Sequence, residues 1–188
     1  MKNIAIFCGS QKGKQLEYIQ EAKQFATFLA KEGYTIVYGG GAVGIMGAIA
    51  DAAIEAGGEV IGVMPNFLVE REIAHPNLTE LHTVDTMHER KALMADLSDA
   101  IIALPGGAGT LEEFFEMFTW AQIGLHSKPI GLYNTLNYFN PLIEMFNHMI
   151  SEEFIKEDYM KMVDIADSPT EMIRLLKDHQ DVQVRNYD

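Results

Sequence analysis

The stretch Ala100-Ile101-Ile102-Ala103-Leu104-Pro105-Gly106-Gly107-Ala108-Gly109-Thr110-Leu111-Glu112-Glu113 reads as a strand, a glycine turn and a helix start in immediate succession. Ala100 to Leu104 is apolar without alternation, the mark of a parallel strand covered on both faces. Pro105 stops it, and Gly106-Gly107 allow the chain to turn sharply. The same strand–turn–helix unit recurs on either side. Ile4 to Cys8 reads as a strand ended by Gly9-Ser10, and Leu16 to Lys31 as an amphipathic helix. Thr35 to Tyr38 runs into Gly39-Gly40-Gly41, followed by a helix from Ile45 to Ala56 that Gly57-Gly58 close. Val60 to Met64 is a strand stopped by Pro65, after which a polar stretch runs to about Glu80. Leu81 to Val84, Ile130 to Tyr133 and the weaker Val163 to Ala166 complete the strands. Met87 to Leu97, Thr110 to Leu125, Tyr138 to Ile150 and Pro169 to Leu176 complete the helices. This alternation predicts an α/β fold: a doubly wound, mainly parallel sheet in a three-layer α/β/α sandwich, with residues 1–188 as a single Rossmann-like domain. Ligands of such sheets lie at the carboxyl ends of the strands. Glycine turns after Cys8, Tyr38 and Leu104 therefore place the site.

The bulk properties narrow the function. A chain of 188 residues, 48% of them apolar, can build a sizeable core. A net charge of −13 argues against a nucleic-acid polymer as partner, since that needs a basic face. One mononucleotide needs only local positive potential. Cys8 is the only cysteine, so no intrachain disulfide can form, as suits a reducing compartment. No run is long enough for a membrane span, and Met1 to Phe7 lead at once into Gly9-Ser10 with no secretory pattern. A cytoplasmic protein without membrane association is expected.

Gly39, Gly41 and Gly44 match G-x-G-x-x-G, but the turn follows the second strand. The next strand ends in Val63-Met64-Pro65, with no acidic residue for a ribose 2′-hydroxyl. A dinucleotide cofactor is not expected; a phosphate or ribose resting against this turn is compatible with it. The turn from Gly106 to Thr110 lacks the Gly-Lys-Ser/Thr of a Walker loop. Its glycines can instead aim backbone N–H groups at an anion before a helix N-terminus. Thr110-Leu111-Glu112-Glu113 also reads as a capping box, with Thr110 as N-cap and Glu113 at the third helical position.

In the helix from Met87, Arg90 and Lys91 border the Met87, Met94, Leu97 stripe that faces the sheet. Cations there need a partner. They either snorkel to solvent, pair with Glu89 or Asp96, or aim at an anionic substrate, for which arginine is suited to bidentate phosphate recognition. Glu113 borders the Phe114, Met117, Phe118, Ala121 stripe, and Phe115 and Trp120 lie on the other side of that helix. A second subunit or a further layer of the same chain would cover them.

With these residues in place the chain resembles the LOG (Lonely Guy) family, formerly labelled lysine decarboxylase-like. Pro105 to Glu113 matches the family's P-G-G-x-G-T-x-x-E at every fixed position. Gly39 to Gly47 matches G-G-G-x-x-G-x-M-G, and Met87 to Lys91 matches M-H-x-R-K. The resemblance runs from about Lys2 to Phe154. It implies a homodimeric enzyme that hydrolyses the N-glycosidic bond of nucleoside 5′-monophosphates, cytokinin ribotides above all, to free base and ribose 5-phosphate. It places catalysis on Arg90 and Glu113. Substrate contacts fall on Lys91, on the turn Gly106, Gly107, Ala108, Gly109, Thr110, Leu111 and Glu112, and on Glu72; Ser10, Gly40 and Gly41 complete the expected site. Arg90 would bind an anionic group or fix Glu113, and Glu113, held ionised by the helix N-terminus, would stabilise the ribosyl cation or orient water. No metal or cofactor is expected: His88-Glu89-Arg90-Lys91-Ala92 lacks the second histidine of a zinc helix, and nothing marks a pyridoxal phosphate lysine. The alternative is a non-catalytic module that senses or delivers a mononucleotide.

Overall fold

The structure, a computed structural model, describes residues 1–71, 74–182 and 184. In chain order the elements are β1 (Asn3–Phe7), α1 (Glu17–Lys31), β2 (Thr35–Tyr38), α2 (Gly44–Glu55), β3 (Val60–Pro65), α3 (Asn66–Val69) and β4 (Glu80–Val84). There follow α4 (Met87–Asp96), β5 (Ala100–Ala103), α5 (Ala108–Gln122), β6 (Ile130–Tyr133), α6 (Asn140–Ser151), β7 (Val163–Ala166) and α7 (Pro169–Asp178). Short 3₁₀ turns at Thr135–Asn137 and Glu157–Met162 lead into α6 and β7.

The strands form one seven-stranded sheet in the order β4-β3-β2-β1-β5-β6-β7, and every pairing is parallel. Strands β1, β2, β5 and β6 are buried along their whole described length or nearly so, which is why their sequences are apolar without alternation. Strand β4, at the sheet edge, is the exception and carries polar residues at Glu80, His82 and Thr83. Buried residues of α1, α2 and α7, among them Phe25, Ile49 and Met172, form the core on one face. Met94 of α4, Phe114 and Phe118 of α5 and Phe146 of α6 form it on the other. The chain order steps outward one way from β1 to β4, then the other way from β5 to β7. The crevice between β1 and β5 is thus the topological switch point.

The expectations for element order and parallel pairing hold; boundaries shift by a few residues. The polar stretch after Pro65 contains the short helix α3. Tyr138 belongs to the approach to α6 rather than to the helix, because Leu136 and Asn137 take left-handed backbone there. The largest correction concerns Thr110. Helix α5 begins at Ala108 with Gly107 as N-cap, so Thr110 is its third residue and no capping box forms with Glu113. The threonine hydroxyl packs back beneath Gly106, where a Cβ would lie 2.1 Å from it. A capping box does exist one helix earlier: Glu89 N–H donates to Thr86 Oγ1 at 3.1 Å, and Thr86 N–H donates to Glu89 Oε2 at 3.1 Å. Lys128 caps the far end of the same helix, its ammonium donating to the carbonyls of Ala95 and Ser98. Helix α4 is therefore fixed at both ends, which matters because it carries Arg90 and Lys91. Among the described residues no helix is long and apolar enough to cross a membrane.

Candidate active site

Two adjoining cavities open at the switch point. One, of about 320 Å³, is lined by Cys8, Gly9, Ser10, Met46, Leu68, Arg90, Gly107, Ala108, Gly109, Thr110 and Glu113. The other, of about 190 Å³, shares Gly9, Ser10 and Gly107 and is walled by Tyr18, Ile45 and Tyr138. A larger cavity of about 530 Å³ lies beside the 156–164 segment and the end of α7, at the amino ends of the strands. That is the wrong edge of a parallel sheet for a ligand, and the glycine turns and Arg90 are not there.

The turns after β1, β2 and β5 meet in the crevice. Gly9 N–H donates to Pro105 carbonyl at 3.1 Å, and the Gly9 carbonyl accepts from the N–H groups of Ile45 and Met46 at 3.1 and 3.3 Å. Gly44 presses on Ser10, where a Cβ would fall 2.3 Å from the serine carbonyl carbon. The first turn of α2 is thus bonded to protein, which removes the usual dinucleotide anchor from the G-x-G-x-x-G match. Helix α5 differs. Gly107, Ala108 and Gly109 are exposed and line the cavity, and no side chain caps this end. The N–H groups of its first turn have no partner within the helix and face an anion-sized space.

Arg90 and Glu113 come together on the wall of that space. Arg90 Nη1 lies 3.5 Å from Glu113 Oε1, and both side chains are about nine-tenths buried. Arg90 Nε donates to the Val63 carbonyl at 3.1 Å, so the guanidinium is anchored on β3 and reaches toward α5. Burial pushes the Glu113 carboxyl up to about 7; the Arg90 charge opposes this, Glu112 adds to it, and Lys91 opposes it more weakly. The expectation that the helix N-terminus holds Glu113 ionised therefore fails. Glu113 sits in the second turn of α5, beyond the end of the dipole's short reach, and desolvation dominates. Beside it, burial pushes the Cys8 thiol far above its ordinary range, with the Glu113 charge adding to the effect. Cys8 is accordingly a protonated, unreactive wall residue.

Lys91 does not point into the cavity. Its ammonium contacts Glu112 Oε1 at 2.5 Å and Glu116 Oε2 at 2.7 Å, tying α4 to α5. Burial acts to lower its pKa, but the two carboxylates outweigh it and the net shift is upward. Its partners are thus on the next helix, not Glu89 or Asp96. Leu111 and Glu112 follow the turn without lining the cavity. Gly40 and Gly41 are buried beneath the next loop, with His75 N–H donating to the Gly40 carbonyl at 3.0 Å and Ala74 bridging Gly41. They shape the wall rather than face it. Glu72 lies outside the described residues. Residues that sequence reasoning did not single out are Met46 and Leu68 on the wall and Tyr138, whose hydroxyl donates to the Gly106 carbonyl at 2.5 Å. Phe115, expected to be covered by a second subunit or a further layer of the same chain, packs on Phe146 of α6 at 5.6 Å between ring centroids, so the chain itself covers this residue.

The family model described as "Possible lysine decarboxylase" matches residues 46–176. A cytokinin riboside 5′-monophosphate phosphoribohydrolase of Rhodococcoides fascians is 49% identical over 155 residues, 82% of this chain and 78% of that one. The Arabidopsis thaliana enzyme of the same name, LOG1, is 43% identical over 95% of this chain and 84% of its own. Among solved structures, the molybdenum cofactor binding protein of Rippkaea orientalis superposes with a TM-score of 0.68 at 22% identity, covering 94% of this chain and 96% of that one. The molybdenum cofactor carrier protein of Chlamydomonas reinhardtii does so at 0.69 and 19%, with the same coverage. At such identities these two share the fold alone. With a matching family model over most of its length and relatives at 40–49% identity, the chain belongs to the LOG family.

Proposed function

We propose that the protein hydrolyses the N-glycosidic bond of purine nucleoside 5′-monophosphates of the AMP or cytokinin type. The observation that carries this reading is that the buried Arg90–Glu113 pair and the uncapped first turn of α5 line one cavity. The turn Gly107–Thr110 accepts the 5′-phosphate, which fixes the ribose and supplies binding energy remote from the bond that breaks. The bond from C1′ to the base nitrogen opens, and its electron pair leaves with the base as positive charge builds on the ribose. The Glu113 carboxylate faces that charge and orients water, whose oxygen bonds to C1′ while one proton goes to the departing base. Arg90 holds Glu113 in place and favours its charged form. The relatives' names support this substrate class. Incubation with a panel of nucleoside 5′-monophosphates, with free base read by chromatography, should show release from adenine or N6-substituted adenine members. A folded protein that binds these nucleotides and releases no base would instead be a sensing or delivery module.

The cytoplasmic setting that the lone buried Cys8 suits is part of this reading, as is the homodimer. Around the end of α5 and along α6, Ile123, Leu125, Met145 and Phe154 are exposed, Phe154 by 83%. A twofold contact across these elements would bury them and the half-buried Trp120. Sedimentation at micromolar concentration should give twice the chain mass; a single chain mass would refute the dimer.

A further inference from the structure

We infer that Gly39 is a positioning residue: the space left by its missing side chain is where the Arg90 guanidinium is held against Glu113. The inference rests on the catalytic reading of that pair. Three glycines stand together after β2, and Gly39 and Gly40 answer to two different needs. Gly40 takes a φ of +80°, and further along Gly44 takes +65°, so these positions favour glycine for the backbone. Gly39 does not have positive φ. What it lacks is room: a Cβ there would lie 1.9 Å from Arg90 Nη2 and 3.1 Å from Cζ.

Such a clash can be relieved from only one side. The turn is held in place by Tyr38, whose hydroxyl donates to the Gly41 carbonyl at 3.1 Å, and by His75, whose N–H donates to the Gly40 carbonyl at 3.0 Å. Tyr38 itself is paired with Ile6 on one side and Gly62 on the other. The backbone cannot withdraw without breaking the sheet, so the side chain must move. Its Nε is anchored at Val63, and its Nη1 stands only 3.5 Å from Glu113. Restoring ordinary contact of 3.4 Å shifts Nη2 by roughly 1.5 Å, enough to change how the guanidinium meets the carboxylate. A methyl group on Gly39 therefore leaves the fold intact and disarms the pair. Because Arg90 is the strongest influence opposing the rise of the Glu113 pKa, its displacement also moves that carboxyl higher.

The test is a double-mutant cycle of wild type, Gly39→Ala, Arg90→Ala and the double variant, read by base release and by denaturant unfolding. Gly39→Ala should lower kcat about a hundredfold, the scale of an ångström misplacement, and move the acidic limb of the rate profile upward. Whatever stability Gly39→Ala costs should vanish when Arg90→Ala has already removed the colliding group. A wild-type rate in Gly39→Ala would overturn the inference. So would an equal stability loss in both backgrounds, which would assign the glycine to the backbone. If Arg90→Ala itself keeps the wild-type rate, the catalytic reading fails on its own, while the unfolding cycle still decides whether Gly39 accommodates the guanidinium.

Discussion

Glu113→Gln should lower base release by about a hundredfold or more, the scale of a lost general acid–base group. The substitution keeps the shape of the side chain and removes its charge. It does not disturb a helix cap, since Gly107 is the N-cap of α5 and Glu113 makes no capping box with Thr110. The variant should therefore fold. At pH 5, where wild-type Glu113 is itself mostly protonated, the two proteins should melt within about 4 °C, the equivalent of about 1 kcal/mol at this size. The pH dependence gives an independent check. Burial raises the Glu113 pKa to about 7 from an ordinary 4.5, so the folded state binds a proton more tightly than the unfolded chain. Stability from this group is full below 4.5 and declines as pH rises to about 7. Glu113→Gln removes that decline. Conversely, kcat/KM of the wild type should climb with pH and level off above about 7, as the carboxylate forms. A Glu113→Gln protein that releases base at the wild-type rate would leave Glu113 without a chemical role.

The other large effect concerns the form of the substrate. AMP should exceed adenosine in kcat/KM by about a hundredfold or more, because two charge-assisted hydrogen bonds of about 1.5–3 kcal/mol each are lost with the phosphate. The N–H groups of the first turn of α5 are helix-start donors in the crevice left over for it, whereas those of Ile45 and Met46 in α2 are bonded to Gly9. The same preference should appear between an N6-substituted AMP and its riboside. Comparable turnover of phosphorylated and unphosphorylated forms would mean that the glycine turn does not hold an anion.

Strands β1, β2, β3 and β5 were legible because each is an apolar run soon cut off by glycine or proline, as at Leu104-Pro105 and Tyr38-Gly39. That Arg90 and Glu113 each border a helix stripe facing the sheet was legible from spacing, but their pairing was implied only by the family resemblance. What failed was local. Thr-x-x-Glu occurs at Thr86–Glu89 and at Thr110–Glu113, yet only the first is a capping box. At the second, the glycines let the helix begin earlier, and the threonine hydroxyl is buried under the turn. The tie of Lys91 to Glu112 and Glu116 could not be read because it joins two helices whose relative rotation the spacing does not specify. The ionisation state of Glu113 was misjudged for a related reason: burial depends on what packs above the second helical turn, and its cost outweighs a dipole that fades within one turn.

Hydrolysis at the glycosidic bond is tested most directly by following every product of AMP in one reaction. The wild-type protein should yield adenine and ribose 5-phosphate in equal amounts, at a rate that added inorganic phosphate does not raise. Adenosine and inorganic phosphate as products, or AMP and an N6-substituted AMP both returned intact by a folded protein that binds them, would contradict the account.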